Sequence, residues 1–127
     1  KTNKLAFGTD AATAPLKEFT IQRRGLTSHD VQIEILFWHL SLDLHSVYND
    51  WGGTIYPIVP GHEIIGKITQ IGSSVTKFKV GDLAGVGRIV DSCRECQHCH
   101  AGDEQCCEEG WTVVFNSKDR KHSGITY

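Results

Sequence analysis

Val31-Gln32-Ile33-Glu34-Ile35 alternates apolar and polar residues without a break. In a strand this places Val31, Ile33 and Ile35 on one face and Gln32 and Glu34 on the other. Upstream, Phe19-Thr20-Ile21-Gln22-Arg23 is a shorter strand candidate that runs into the turn-prone Arg24-Gly25. Downstream, residues 62–71 are rich in β-branched side chains and are interrupted by Gly66, the mark of a bulge or of a close backbone approach. Gly72-Ser73-Ser74 and Val80-Gly81-Asp82 read as turns, and 83–90 resumes as a strand. Residues 44–49 suit a short helix. Short strands at fairly regular spacing, punctuated by 13 glycines, predict one mainly β domain, a barrel or sandwich.

Composition fits that reading. The 127 residues carry 13 Lys and Arg against 15 Asp and Glu, a formal charge of −2, with 39% hydrophobic and 22% charged residues. Such a chain can bury a core and is long enough for one domain. The slightly acidic balance argues against nucleic acid or an anionic membrane as partner. Apolar runs are too short to span a bilayer, and the N-terminus lacks a signal peptide's apolar segment, so a cytoplasmic protein is expected. The absence of methionine and a last segment, Gly124-Ile125-Thr126-Tyr127, that reads like the entry to a strand suggest a piece of a longer chain.

All five cysteines lie between Cys93 and Cys107. A disulfide framework spreads its cysteines across a fold, whereas a metal knuckle concentrates them, and an odd count points the same way. Cys93-x2-Cys96-x2-Cys99 followed by Cys107 can wrap one Zn²⁺ at about 2.3 Å per sulfur, and four thiolates leave no open position for chemistry. Spacing alone leaves Cys106 as an alternative fourth ligand, and His98 or His100 as possible intruders; free thiols or an iron–sulfur site are the other readings. Pro60-Gly61-His62-Glu63 opens an apolar strand with two groups able to meet a metal. A single histidine in that setting is more often a satisfied core or surface residue. Asp43-Leu44-His45 is a polar cluster whose simplest reading is helix capping by Asp43.

Taken together, Asp43-Leu44-His45, Asn49-Asp50-Trp51-Gly52, Tyr56-Pro57, Val59-Pro60-Gly61-His62-Glu63-Ile64, Gly66, the run 75–82 and the cysteine segment 91–107 stand in the order seen in zinc-dependent medium-chain alcohol dehydrogenases. The chain resembles the cinnamyl alcohol dehydrogenase subgroup and its bacterial aldehyde-reductase relatives from about residue 11 to 127. The resemblance implies a GroES-like β-barrel catalytic domain over 1–127, with a zinc-binding lobe at 91–109 and a Rossmann domain elsewhere in a longer protein. Gly85-Val86-Gly87 is no dinucleotide fingerprint of its own, because Ile89 and Val90 follow where the third glycine is needed.

The resemblance further implies hydride transfer between a primary alcohol or aldehyde and NADP(H), with structural and catalytic zinc. It makes Cys93, Cys96, Cys99 and Cys107 the structural ligands and His62 a ligand of the catalytic zinc. Glu63 becomes a neighbour able to move onto that metal, and Asp43 the acceptor orienting the ligand histidine. His45 takes the place of the histidine beside the cofactor ribose that relays a proton, and Trp51 lines the substrate pocket. The full protein is expected to be a homodimer joined through its Rossmann domains, with no nucleic-acid or membrane partner. The stretch Trp38-His39-Leu40-Ser41-Leu42 departs from the pattern. Leu40 stands in the place of a cysteine ligand and Leu42 in that of the relay hydroxyl, leaving His39 and Ser41 as nearby substitutes. The alternative is a catalytically inactive, zinc-stabilised protein-binding module derived from the same family. A zinc-ribbon nucleic-acid binder is disfavoured by Asp91, Glu95, Asp103, Glu104, Glu108 and Glu109 around the cysteines. A barrel that normally packs on a second domain would expose an apolar face, so poor solubility is expected for this piece alone.

Overall fold

The computed structural model of the chain describes residues 2–39, 43–121 and 124–127, with the side chains of residues 38 and 39 outside the description. It is mainly β. In chain order the elements are β1 (Thr2–Gly8), β2 (Lys17–Arg23), β3 (Val31–His39), α1 (Asp43–Val47), β4 (Glu63–Ile71), β5 (Leu83–Val86), β6 (Ile89–Ser92), α2 (Gln97–Ala101), a 3-10 turn (Glu104–Cys106) and β7 (Trp111–Val113). They form three antiparallel sheets, ordered β1-β2, β3-β4-β5 and β6-β7.

The central sheet positions the site. β3 and β4 pair with register shifts between Gln32 and Ile33 and between Ile35 and Phe37. The residues without a partner at those shifts are Thr69 in β4 and Leu36 in β3, so the alternation of Val31, Ile33 and Ile35 runs along β3 without a bulge, and Ile35 ends 52% exposed. Gly66 faces Ile35 beside the second shift. A Cβ there would stand 2.3 Å from the Glu34 carbonyl oxygen and 2.4 Å from Ile33 Cγ2, so the expected close approach is met by the backbone of β3. The turn at Gly81, with φ of 98°, lets its N–H reach Ile68 O at 2.8 Å and returns the chain as β5.

Three differences have physical causes. The strand expected over 83–90 is interrupted at Gly87 and Arg88, because β5 pairs with β4 whereas β6 pairs with β7. The cysteine segment, which carries no helical pattern in the sequence, contains α2 and the 3-10 turn, which take up the ligand spacing. Residues 124–127 fold back on 116–118, with Thr126 N–H donating to Ser117 O at 2.8 Å and a bridge between Lys118 and Ile125. The buried core holds Val47, Ile58 and Phe115, flanked by Tyr56 and Val114, so the helix that carries Asp43 is anchored on the segment leaving the cysteine lobe. No helix among the described residues is long and apolar enough to cross a membrane.

Candidate active site and metal lobe

The lobe begins where β6 ends. Arg94 adopts φ of 65°, and this tight turn aims the Glu95 and Cys96 N–H groups at Cys93 Sγ, at 3.4 and 3.3 Å. Cys93 N–H in turn donates to Cys107 Sγ at 3.4 Å. Cys96 caps α2, Cys99 lies within it, and Gly102 ends it at φ of 84°. The 3-10 turn then separates its two neighbouring cysteines: Cys106 is exposed and Cys107 buried.

The Sγ atoms of Cys93, Cys96, Cys99 and Cys107 lie within 4.8 Å of one another. Cys93 and Cys99 are 3.8 Å apart, and a tetrahedron with sulfur at about 2.3 Å from zinc has edges of about 3.8 Å. Cys107 is in this group, whereas Cys106, His98 and His100 are not. The Glu108 and Cys99 backbone N–H groups hold the Cys96 thiol down at about 6. The Cys93 N–H lowers Cys107 as well. Cys93 itself also accepts N–H groups from Glu95 and Cys96, but desolvation and the thiols of Cys107 and Cys96 push it up to about 11. Thiolates crowded this closely repel one another until a cation joins them, and four soft donors gathered in this way suit Zn²⁺.

The second cluster joins α1 to the start of β4. Asp43 Oδ1 lies 2.7 Å from His62 Nδ1, with Asp43 1% exposed. The aspartate opens the helix, yet its carboxylate reaches the histidine instead of capping N–H groups. An ionised carboxylate only accepts, so Nδ1–H donates and the Nε2 lone pair is left for another partner. Asp43 Oδ2 is buried with no hydrogen-bond partner among the described residues. The ring of Phe115 supports His62 from 6.3 Å.

Two positions further along α1, His45 faces outward. Its Nδ1 is 2.8 Å from Asp50 Oδ2, and its ring lies 5.0 Å from that of Trp51. Trp51 is 66% exposed, so any pocket it lines is open on this side. Glu63 borders a shallow apolar groove with Phe37, Ile65 and Gly85. His39 occupies the register position opposite Glu63; its side chain, together with Leu40, Ser41 and Leu42, lies outside the described residues. Among the described residues, the four cysteines are the only group of three or more potential metal ligands gathered together. His62 and Glu63 therefore offer at most two donors, and a metal at Nε2 needs others from elsewhere. Sequence reasoning missed the roles of Asp50 and Phe115 as supports, because no periodicity links residues five or more than fifty positions apart.

Comparison with known proteins fits this geometry. Residues 27–125 match the alcohol dehydrogenase GroES-like domain. The chain is 50% identical over 117 residues to NADP-dependent alcohol dehydrogenase C 1 of Mycolicibacterium smegmatis, covering 91% of this chain and 34% of that protein. It superposes on a cinnamyl alcohol dehydrogenase of Sorghum bicolor with a TM-score of 0.92 at 38% identity, covering 98% of this chain and 36% of the other. The Helicobacter pylori enzyme described as CAD complexed with NADP(H) gives 0.90 at 35% identity, covering 96% and 35%. The chain spans about a third of the length of the curated relatives it matches. By its motif order, its β architecture and these matches, cinnamyl alcohol dehydrogenases among them, the chain belongs to the alcohol dehydrogenase GroES-like domain family.

Proposed function

We propose that residues 1–127 form the catalytic barrel domain, with a structural zinc lobe at 91–109, of a longer NADP(H)-linked alcohol dehydrogenase or aldehyde reductase. Its substrates are primary alcohols and aldehydes, aromatic and allylic ones included. The observation that carries the reading is the pairing of His62 with the buried Asp43, since a histidine held through Nδ1 by a carboxylate presents Nε2 in the manner of a metal ligand.

In this reading Cys93, Cys96, Cys99 and Cys107 hold a zinc that serves the fold. His62 and Glu63 contribute to a second zinc, with further donors from outside the described residues; His39 is one candidate. When bound, that zinc supplies Lewis acidity at the substrate oxygen, and NADP(H) carries the hydride. The chain's own residues move the proton. Asp50 fixes His45 through Nδ1, so Nε2 accepts a proton from the cofactor side and releases it to solvent; Ser41, outside the described residues, is the candidate for the relay hydroxyl. Trp51 bounds the substrate space. The full-length protein works as a cytoplasmic homodimer on small molecules.

The lack of a cysteine between Trp38 and Leu42 favours the second reading, an inactive zinc-stabilised protein-binding module. Intact mass, zinc per chain and alcohol-dependent NADP⁺ reduction on native material separate the two. About two zincs per chain with turnover of benzylic or allylic alcohols is the expected result. One zinc and no turnover with any primary alcohol would leave the module.

A further inference from the structure

α1 has five residues, little more than one turn, and so short a helix has no stability of its own. Its last two carbonyls are held from one irregular segment. Thr54 Oγ1 donates to Ser46 O at 2.7 Å, and Tyr56 Oη donates to Val47 O at 2.6 Å. That segment is fixed from two sides: Asn49 Oδ1 accepts from Thr54 N–H at 3.0 Å, and Asn116 Oδ1 accepts from Ile55 N–H at 2.7 Å.

Asn116 sits in the left-handed region at φ of 56°, and its own N–H donates to Thr126 O at 3.2 Å. The residue immediately before it is Phe115, 8% exposed and packed beside His62. One position thus meets two demands. The backbone must take positive φ to leave Phe115 in the core, and the side chain must present an acceptor to Ile55. Glycine satisfies only the first and most residues neither, whereas Asn and Asp satisfy both.

We propose that Asn116 is a positioning residue for the Asp43–His62 pair. It acts along two arms: through Phe115 onto the imidazole, and through the Thr54–Tyr56 clamp onto the helix that carries Asp43. The proposal rests on the reading of that pair as part of the active site, but its test does not depend on turnover.

The measurement is solvent exchange of the His62 Nδ1–H proton in full-length protein carrying ¹⁵N-histidine, the resonance being assigned by its disappearance in His62→Gln. In Asn116→Gly exchange accelerates about three- to tenfold, the loosening expected from one lost hydrogen bond, while Asn116→Asp stays within about twofold of native. Thr54→Val, which opens the clamp without touching Asn116, accelerates exchange likewise and decides the matter if Asn116→Gly does not fold. An Asn116→Gly protein with a lowered melting temperature but native exchange would overturn the proposal. So would failure of Asn116→Asp to restore exchange, or native exchange in Thr54→Val. Absence of alcohol oxidation in native protein and variants alike would instead count against the proposed function and leave the exchange result standing.

Discussion

Arg24 and Asp30 face each other at the connection between β2 and β3 in a bidentate pair, with Nη2 and Oδ1 2.9 Å apart and a second contact between Nη1 and Oδ2. Thr27 N–H donates to the same carboxylate at 2.7 Å. The guanidinium, helped by that N–H, holds the Asp30 carboxyl well below the usual carboxylate range against the opposing effect of burial. A lowered folded-state value means that the pair's stabilisation is fully present above the unfolded value, about 3.9, and is lost as pH falls through and below it. Asp30→Asn should therefore lower the melting temperature by a few degrees at neutral pH and by progressively less in acid. A constant difference between the two melting curves from pH 7 to 3 would show that the charge is not what holds the turn. Single residues also mark the reach of sequence reading. Cys106 and Cys107 are adjacent and equivalent in spacing, and only the 3-10 turn between them and α2 directs one thiol outward and one inward. Asp43 reads locally as a helix cap because its partner, His62, lies nineteen positions away.

At the scale of elements, the pairing of β3 with β4 carries the sharpest constraint. Gly66 leaves no room for a Cβ against the Glu34 carbonyl, and backbone cannot swing aside as a flexible side chain can. We expect Gly66→Ala to destabilise the protein by about 1–3 kcal/mol, read as a drop of several degrees in thermal unfolding. Gly87→Ala, where nothing lies within 4 Å, should be close to neutral. Equal effects at the two sites would mean that β3 and β4 are less closely apposed than described. The same pairing shows which elements local pattern reveals. Residues 62–71 announce a strand and a glycine with a special role, both of which follow from side-chain type alone. The break between β5 and β6 does not, since 83–90 is apolar but for Arg88 and the switch depends on β7, more than twenty residues further on. The cysteine segment is legible for its donors because metal chemistry demands them close together, but not for α2, which only the wrapping of four thiols around one point makes worthwhile.

Across the whole molecule, burial is thin for a chain of this length. The clustered core is Val47, Ile58 and Phe115 with two partly buried neighbours. Phe37 at 70%, Ile65 at 53% and Leu83 at 70% exposure meanwhile crowd one side of the β3-β4-β5 sheet. Phe37 and Ile65 are paired across strands, so the patch is continuous, and continuous apolar surface is what drives association in water. A net charge of only −2 gives little electrostatic repulsion to oppose it. Expressed by itself, the 127-residue chain should therefore bind a hydrophobic dye such as ANS and scatter light as an assembly larger than one copy. Phe37→Ser combined with Ile65→Thr should reduce both signals without loss of folded structure, because neither side chain belongs to the buried core. A native chain that stays monomeric and dark to the dye at high micromolar concentration would mean that this face closes on itself in solution. The apolar side of the sheet would then need no second domain or second copy to keep it from water.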